Sequence, residues 1–240
     1  MRSKHQMIVP DMKVSDIIMK NYYLILMLEN FGINLNVQEK RVLQICQENN
    51  INVEVFLTFA NLFNGIKYTP SNEFTFDDLQ TIIGYLKKCH EYYLEEKYPK
   101  IQRYIKQIQE LNDLPGIKLI DVFFNEYFNE VKTHLDYEDR VVFPYITSLF
   151  TALKQQTPSK DGDTYSVTEY KDHHDDIEVK LTDIKNLLIK YLPQKNEHKE
   201  RRKLVFSLFE LEYDLNIHTQ IEDSILVPLV EKMELQLKKG

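Results

Sequence analysis

The sequence predicts an all-α protein, a four-helix bundle preceded by a small helical domain. Three observations carry this expectation. Apolar residues recur at alternating steps of four and three along four long stretches, which is the period of a helix with one buried face. Only 6 Gly and 8 Pro occur in 240 residues, and 43% of the residues are hydrophobic, so the chain has material for a core and few helix breakers. The string H-x3-E-x5-P occurs twice, 84 residues apart, as His134, Glu138, Pro144 and as His218, Glu222, Pro228.

In chain order, residues 1–10 read as a loose terminus. Residues 1–66 form the small N-terminal domain, where turn signals at Gly32, Asn49-Asn50 and Gly65 separate three or four short helices. A linker is expected at 67–75, and the bundle occupies 76–240. Its first helix runs from about Thr75 to Glu110 and stops before Asn112-Asp113-Leu114-Pro115-Gly116. The second runs from about Ile117 to Leu153, and a polar loop with Pro158 and Gly162 follows. The third covers about Ser166 to Tyr191 and stops at Pro193; the fourth spans about Glu197 to Lys238. Pro99, Pro144 and Pro228 fall inside these patterns and predict a kink or break near each.

The apolar stripes place the polar residues that matter. On the fourth helix the stripe is Leu204, Leu208, Leu211, Leu215, His218, Glu222, Ile225, Leu229. On the second, 84 residues earlier, it is Ile120, Phe124, Tyr127, Val131, His134, Glu138, Val141, Tyr145. The third gives Val167, Tyr170, His174, Ile177, Leu181, Ile184, Leu188, Tyr191, and the first gives Leu79, Ile83, Leu86, His90, Tyr93. His90 and His174 are themselves 84 residues apart and each precedes its H-x3-E by 44. Four histidines and two glutamates thus obey one internal repeat on faces that should line a bundle core.

Composition removes several function classes. The formal charge of -7 and a pI near 5.6 argue against a nucleic-acid binder held by phosphate contacts. No apolar run of ~18 residues predicts a membrane span, so a soluble cytoplasmic protein is expected. Cys46 and Cys89 cannot make a disulfide framework, which fits a reducing compartment. Cys89 adjoins His90, but helical neighbours point about 100° apart, so Cys89 reads as a packing residue.

A carboxylate on a core stripe is costly unless a cation compensates it. No Lys or Arg stands on the stripes of the second, third or fourth helix, which makes bound metal the economical compensation. Residues i and i+4 share a helix face, so His134 with Glu138, and His218 with Glu222, each offer a nitrogen and a carboxylate to one place. Six ligands from four helices exceed a closed tetrahedral zinc and suit two metals, each with two His, bridged by both glutamates. Iron is the expected metal for such a donor set, with Mn and Zn also compatible. Coordination positions then remain for water, an oxo bridge, dioxygen or nitric oxide.

With these residues on the page, the chain resembles the hemerythrin-like (HHE) cation-binding domains and their H…HxxxE…H…HxxxE pattern. It is similar, more narrowly, to the di-iron proteins that repair iron centres. The segments carrying this are CHEYYLEEKYP around His90, HLDYEDRVVFP from His134, HHDDIEVKLTDI from His173 and HTQIEDSILVP from His218. The resemblance implies His90, His134, His174 and His218 as terminal ligands, with Glu138 and Glu222 as bridges. Oxygen-carrying hemerythrins resemble the chain in fold but use a fifth His where Glu178 stands. They also use an Asp five residues after the last His. Asp223 has that spacing, but Asp139 has it too in the first half, and the repeat favours Glu222 as the bridge.

Residues 13–63 resemble the small N-terminal domain of the same repair family through Val14-Ser15-Asp16-Ile17-Ile18, Phe31-Gly32-Ile33 and Leu43 to Cys46. That family often carries a Cys-Cys pair after its Gly-Ile, where this chain has Leu35-Asn36. A docking or dimerisation module is therefore expected rather than a thiol role. Glu130, Asp214 and His173 are candidates to support the ligands from behind, His173 standing where the family has Glu.

The resemblance implies a non-haem di-iron protein of the stress response. Its role would be to restore iron–sulfur clusters damaged by nitric oxide or oxidants, by iron delivery or by chemistry at the di-iron centre. It reads as a metal-binding repair protein more than as an enzyme. Iron–sulfur clients, the gases NO and O2, and a second copy of the chain are the expected partners. Two alternatives stand beside it. One is an oxygen or nitric oxide sensor or store. The other is a nitric oxide or peroxide reductase, with Tyr93, Tyr127 and Tyr213 near the site to support redox steps.

Overall fold

The computed structural model describes residues 6–69, 74–156, 166–172 and 177–238. The short helices form where the turn signals stand: α1 Val14–Lys20, α2 Leu24–Asn30, α3 Val42–Glu48 and α4 Val53–Phe63. The last three close alike. Gly32, Asn50 and Gly65 take φ of 75°, 54° and 66°. The next N–H, of Ile33, Ile51 and Ile66, then donates to the carbonyl five residues back, on Leu28, Cys46 and Asn61. This left-handed closure satisfies carbonyls that a helix end would otherwise orphan. The terminus is less loose than expected at Ile8. Its N–H donates to Asn61 Oδ1 at 2.8 Å, and its carbonyl accepts from Asn61 Nδ2 at 3.0 Å.

Four long helical stretches follow and make the helical bundle. The first is α5 Asp78–Tyr92 and α6 Tyr98–Leu111, joined by a π turn at Tyr93–Lys97. The second is α7 Pro115–Tyr137 and α8 Phe143–Gln155, joined by a π turn at Glu138–Val142. The third holds α9 Val167–Asp172 and α10 Ile177–Asn186, ending in a π turn at Leu187–Tyr191. The fourth is α11 His198–Ile221 and α12 Val227–Leu237, joined by a π turn at Glu222–Leu226. Among the described residues there is no β-strand, and no helix is long and apolar enough to cross a membrane.

The prolines explain the π turns. A helical proline has no N–H to donate and its ring collides with the carbonyl four residues back. Here Tyr98, Phe143 and Val227, each just before a proline, donate instead to the carbonyls of Tyr93, Glu138 and Glu222, five residues back. The widened turn accepts the ring, and helix resumes at once rather than breaking. Of the stripe residues that follow Glu138 and Glu222, Tyr145, Ile225 and Leu229 are buried as expected, and Val141 is 38% exposed, with its neighbour Val142 buried in its place. Tyr191, at the end of the third stripe, is likewise exposed, beyond the last core contact before Pro193.

By packing, the chain divides into two compact units, Met1–Cys89 with Thr219–Lys232, and His90–His218 with Met233–Gly240. The first has an aromatic cluster of Phe31, Phe56, Phe59 and Tyr85. In the second, Tyr98 on α6 packs on Phe124, Tyr127 and Phe128 of α7, and Tyr98 and Tyr127 share a buried hydroxyl pair at 3.1 Å. Elsewhere in this unit Glu234 Oε1 accepts from Tyr145 Oη and from the Val167 N–H that opens α9.

A buried polar knot ties the loop after α6 to the start of α11. Glu197 accepts from Asn112 Nδ2 at 2.8 Å and from Arg201 at 2.6 Å, and Arg201 also donates to the carbonyls of Leu188, Leu192 and Pro193. Burial disfavours the charged carboxylate, but the Asn112 donor, the N–H groups of Glu197 and Lys195, and Arg201 outweigh it and hold Glu197 at about 2, below its ordinary 4.5. A depressed carboxyl pKa stabilises the fold above its unfolded value and loses that contribution as pH falls through the folded one. The shift corresponds to on the order of 3 kcal/mol. We expect the stability gap between wild type and Glu197→Gln, read by denaturant titration, to be full above pH ~5 and to close towards pH ~2. A gap independent of pH would contradict the ionised knot.

Candidate metal centre

Three buried side chains converge in the second unit. His90 stands near the end of α5, Glu138 opens the π turn after α7, and His218 lies in the last turn of α11. One ligand atom of each lies within 4.8 Å of the others. Metal bonds of ~2.0–2.2 Å separate the ligands of one ion by up to ~4.4 Å, and the bound on these atoms lies close to that spacing. His134, one helical turn before Glu138, adds a fourth donor, its Nε2 3.1 Å from Glu138 Oε1. Glu138 Oε2 faces His90 Nε2 at 3.3 Å, so the two carboxylate oxygens address different imidazoles.

The surroundings fix these groups. The Tyr170 hydroxyl, from α9, donates to Glu138 Oε1 at 2.8 Å. His90 presents Nδ1 to Asp139 Oδ1 at 3.2 Å, and Phe143 stacks on its ring at 5.6 Å between centroids. Burial lowers the His90 pKa, but the facing carboxylates of Asp139 and Glu138 outweigh it and carry the imidazole to about 9. In effect, the carboxylates ask for a cation, which is either a proton on His90 or a metal ion. Neither ring nitrogen of His90 completes hydrogen-bond geometry with the oxygen it faces. Buried nitrogens so placed, beside a fully buried carboxylate, fit an ion held by nitrogen and oxygen donors.

A second polar chain runs beside His218. Tyr93, opening its own π turn, donates its hydroxyl to Asp214 Oδ2 at 2.7 Å, and its ring meets His218 edge-on at 5.8 Å. Burial raises the Asp214 pKa, with Tyr93, His218 and Lys97 opposing. Lys97 is itself buried and donates to Glu210 Oε2 at 2.8 Å. Burial depresses its pKa, and Glu210 works against that.

The remaining sequence candidates fall as follows. Glu222 is buried and opens a π turn as Glu138 does, but it belongs to the other compact unit. His173 and His174 lie outside the described residues. Asp214 is buried behind His218, whereas Glu130, its repeat partner, is 56% exposed and ion-paired with Lys180 at the surface. Tyr127 packs in the core with Tyr98 and Phe124. Sequence reasoning did not assign Asp139 to His90 or Tyr170 to Glu138. Both left a faint signal: Glu-Asp recurs in both halves of the repeat, and Tyr170 is a hydroxyl on an otherwise apolar stripe.

A search of curated proteins finds no match to this chain. Residues 81–230 match the family model of the hemerythrin HHE cation-binding domain, a domain that binds metal cations. That match spans most of the chain and contains every expected ligand, and the protein belongs to the hemerythrin HHE cation-binding family.

Proposed function

We propose that the protein holds two iron ions in this centre and serves to restore iron–sulfur clusters damaged by nitric oxide or oxidants. The observation that carries the iron reading is the buried convergence of His90, Glu138 and His218, with His134 beside them. The repair role is supported by the likeness of the four histidine segments, and of residues 13–63, to the repair family. Two bound irons would supply redox-active positions with coordination sites left for small ligands.

The chain's own residues have separable tasks. Glu138 turns one oxygen to His134 and the other to His90, the arrangement a bridging carboxylate needs. Tyr170 fixes the plane of that carboxylate through its hydroxyl. Asp139 Oδ1 faces His90 Nδ1 at 3.2 Å, so an N–H on Nδ1 would point to it and leave Nε2 as the ligating nitrogen. The Tyr93 hydroxyl keeps the Asp214 carboxylate hydrogen-bonded where water is excluded.

Protein purified without oxygen should contain about two irons per chain, with oxo-bridged ferric absorption appearing in air. Glu138→Ala and Glu222→Ala should each lower the iron content, and normal content in both would sink the bridging assignment. Asp139→Asn should weaken iron affinity by roughly 10–100-fold, the usual cost of losing a ligand's supporting partner. Wild-type affinity in that variant would remove Asp139 from the site. For the repair role, iron-loaded protein should restore activity to a nitric-oxide-treated [4Fe–4S] enzyme faster than the same amount of free iron. Equal recovery from free iron would leave a binding or sensing protein.

A further inference from the structure

We propose that Lys97 and Glu210 are positioning residues of the metal centre, an ion pair that fixes the register in which His218 meets His90. The inference rests on these two histidines being metal ligands. Four pairs of side chains join the stretch 90–104 to the stretch 203–218, and both stretches lie in one compact unit. The His90 and His218 rings are 5.2 Å apart between centroids. The Tyr93 hydroxyl donates to Asp214 Oδ2 at 2.7 Å, and Lys97 Nζ donates to Glu210 Oε2 at 2.8 Å. Lys203 Nζ then stands 5.6 Å from the centroid of the Tyr104 ring. Residue numbers rise along one stretch as they fall along the other, so the pairs are rungs between antiparallel helices. Tyr93 and Lys97 are the two ends of one π turn, so two rungs bracket it.

A metal site needs that register held closely. A slip of one residue along a helix moves a side chain by ~1.5 Å, whereas metal bonds tolerate about 0.2 Å. Apolar packing alone sets the register loosely. The buried face of α11 carries Leu204, Leu208, Leu211 and Leu215, a row of one residue type. A slide of seven residues would put Leu204 in the place of Leu211 and Leu208 in the place of Leu215, so like would replace like. The polar rungs change instead. Lys97 would then face Lys203 or Ile217 where Glu210 now stands. A buried ammonium is stable against neither, because lysine is rarely buried unless paired.

Stability does not account for this lysine. The pair runs from an ammonium that is 3% exposed to a carboxylate that is 39% exposed. Exchanging a buried ion pair for apolar residues of similar volume is often neutral or stabilising, and the best attested use of such a pair is to specify register. Here the register it specifies is that of a ligand on each side. Lys97 lies seven residues after His90, and Glu210 lies eight before His218, so the pair sets the two helices about two turns away from the metal. The Tyr93–Asp214 bond between them transmits that setting to the residues next to the histidines.

The test uses full-length protein and cobalt(II), whose visible absorption reports coordination geometry. Lys97→Met keeps the apolar stem and removes the ammonium. It should leave the unfolding temperature of the metal-free protein at or above that of wild type. It should nonetheless weaken cobalt affinity roughly tenfold, the low end for lost ligand support, and shift the absorption bands. Glu210→Gln, at a half-exposed position, should weaken affinity in the same direction. The double variant should lose no more than Lys97→Met alone, because both act through one contact. Lys195→Gln, which breaks the exposed Lys195–Asp113 pair of the same unit, should match wild type. Wild-type affinity and spectrum in Lys97→Met would overturn the inference, and so would losses that simply add in the double variant or an equal loss in Lys195→Gln. A weaker affinity accompanied by a lowered unfolding temperature of the metal-free protein would reduce the pair to a stabilising role and overturn it too. If Lys97→Met does not fold, wild-type affinity and spectrum in Glu210→Gln overturn it. Failure of the wild-type chain to take up cobalt would instead overturn the metal reading itself, and the inference with it.

Discussion

A carboxylate with no exposed surface sets the terms on which this bundle exists. Glu138 is 0% exposed, and taking a carboxylate out of water costs several kcal/mol after the protein relaxes. The groups that face it are imidazoles, at 3.1 and 3.3 Å, together with one tyrosine hydroxyl. Imidazole is the one basic side chain that can compensate the charge in two ways, by taking a proton or by sharing a metal. The carboxylates of Asp139 and Glu138 raise the His90 pKa against the effect of burial, so positive charge is favoured at this point. Four helices must therefore arrive with their polar residues aligned to a fraction of a turn, and much of the local structure serves that alignment.

The π turns belong to it. Glu138 and Glu222 each open one, and in both cases a proline follows six residues later. In a regular α-helix that proline would lose a hydrogen bond and push on a carbonyl within the turn that follows the glutamate. Widening the turn by one residue relieves the collision, and both glutamates are buried. After the two glutamates Tyr145, Ile225 and Leu229 keep the expected buried face, and Val141 departs from it.

This marks the limit of what the sequence made legible. The four stripes, the helix ends at Asn112 and Pro193, the closures at Gly32, Asn50 and Gly65, and the placement of His90, Glu138 and His218 on core faces all follow from local rules. Those rules placed Val141 in the core, where it is 38% exposed although its repeat equivalent Ile225 is buried. They also carry no information about which side chain of another helix will arrive opposite. Asp139 meets His90 from 49 residues away, and Tyr170 meets Glu138 from 32. Glu130 and Asp214 illustrate the same point, since both stand four residues before a histidine and only Asp214 is buried.

That last contrast follows from what each acid meets. Asp214 finds the Tyr93 hydroxyl, which satisfies one oxygen in a place closed to water. Glu130 pairs with Lys180 in solvent instead. Tyr170 shows how far the two halves of the repeat differ: its hydroxyl reaches Glu138, and the residue 84 positions before it is Leu86. The pattern H-x3-E with a preceding His recurs in both halves, while the residue types around it differ. Because a donor to a carboxylate withdraws charge from its oxygens and fixes their direction, two glutamates equivalent in sequence meet unequal surroundings. The reactivity of such a centre is governed by the side chains that reach its ligands as much as by the ligands, and those side chains are what the motif leaves unspecified.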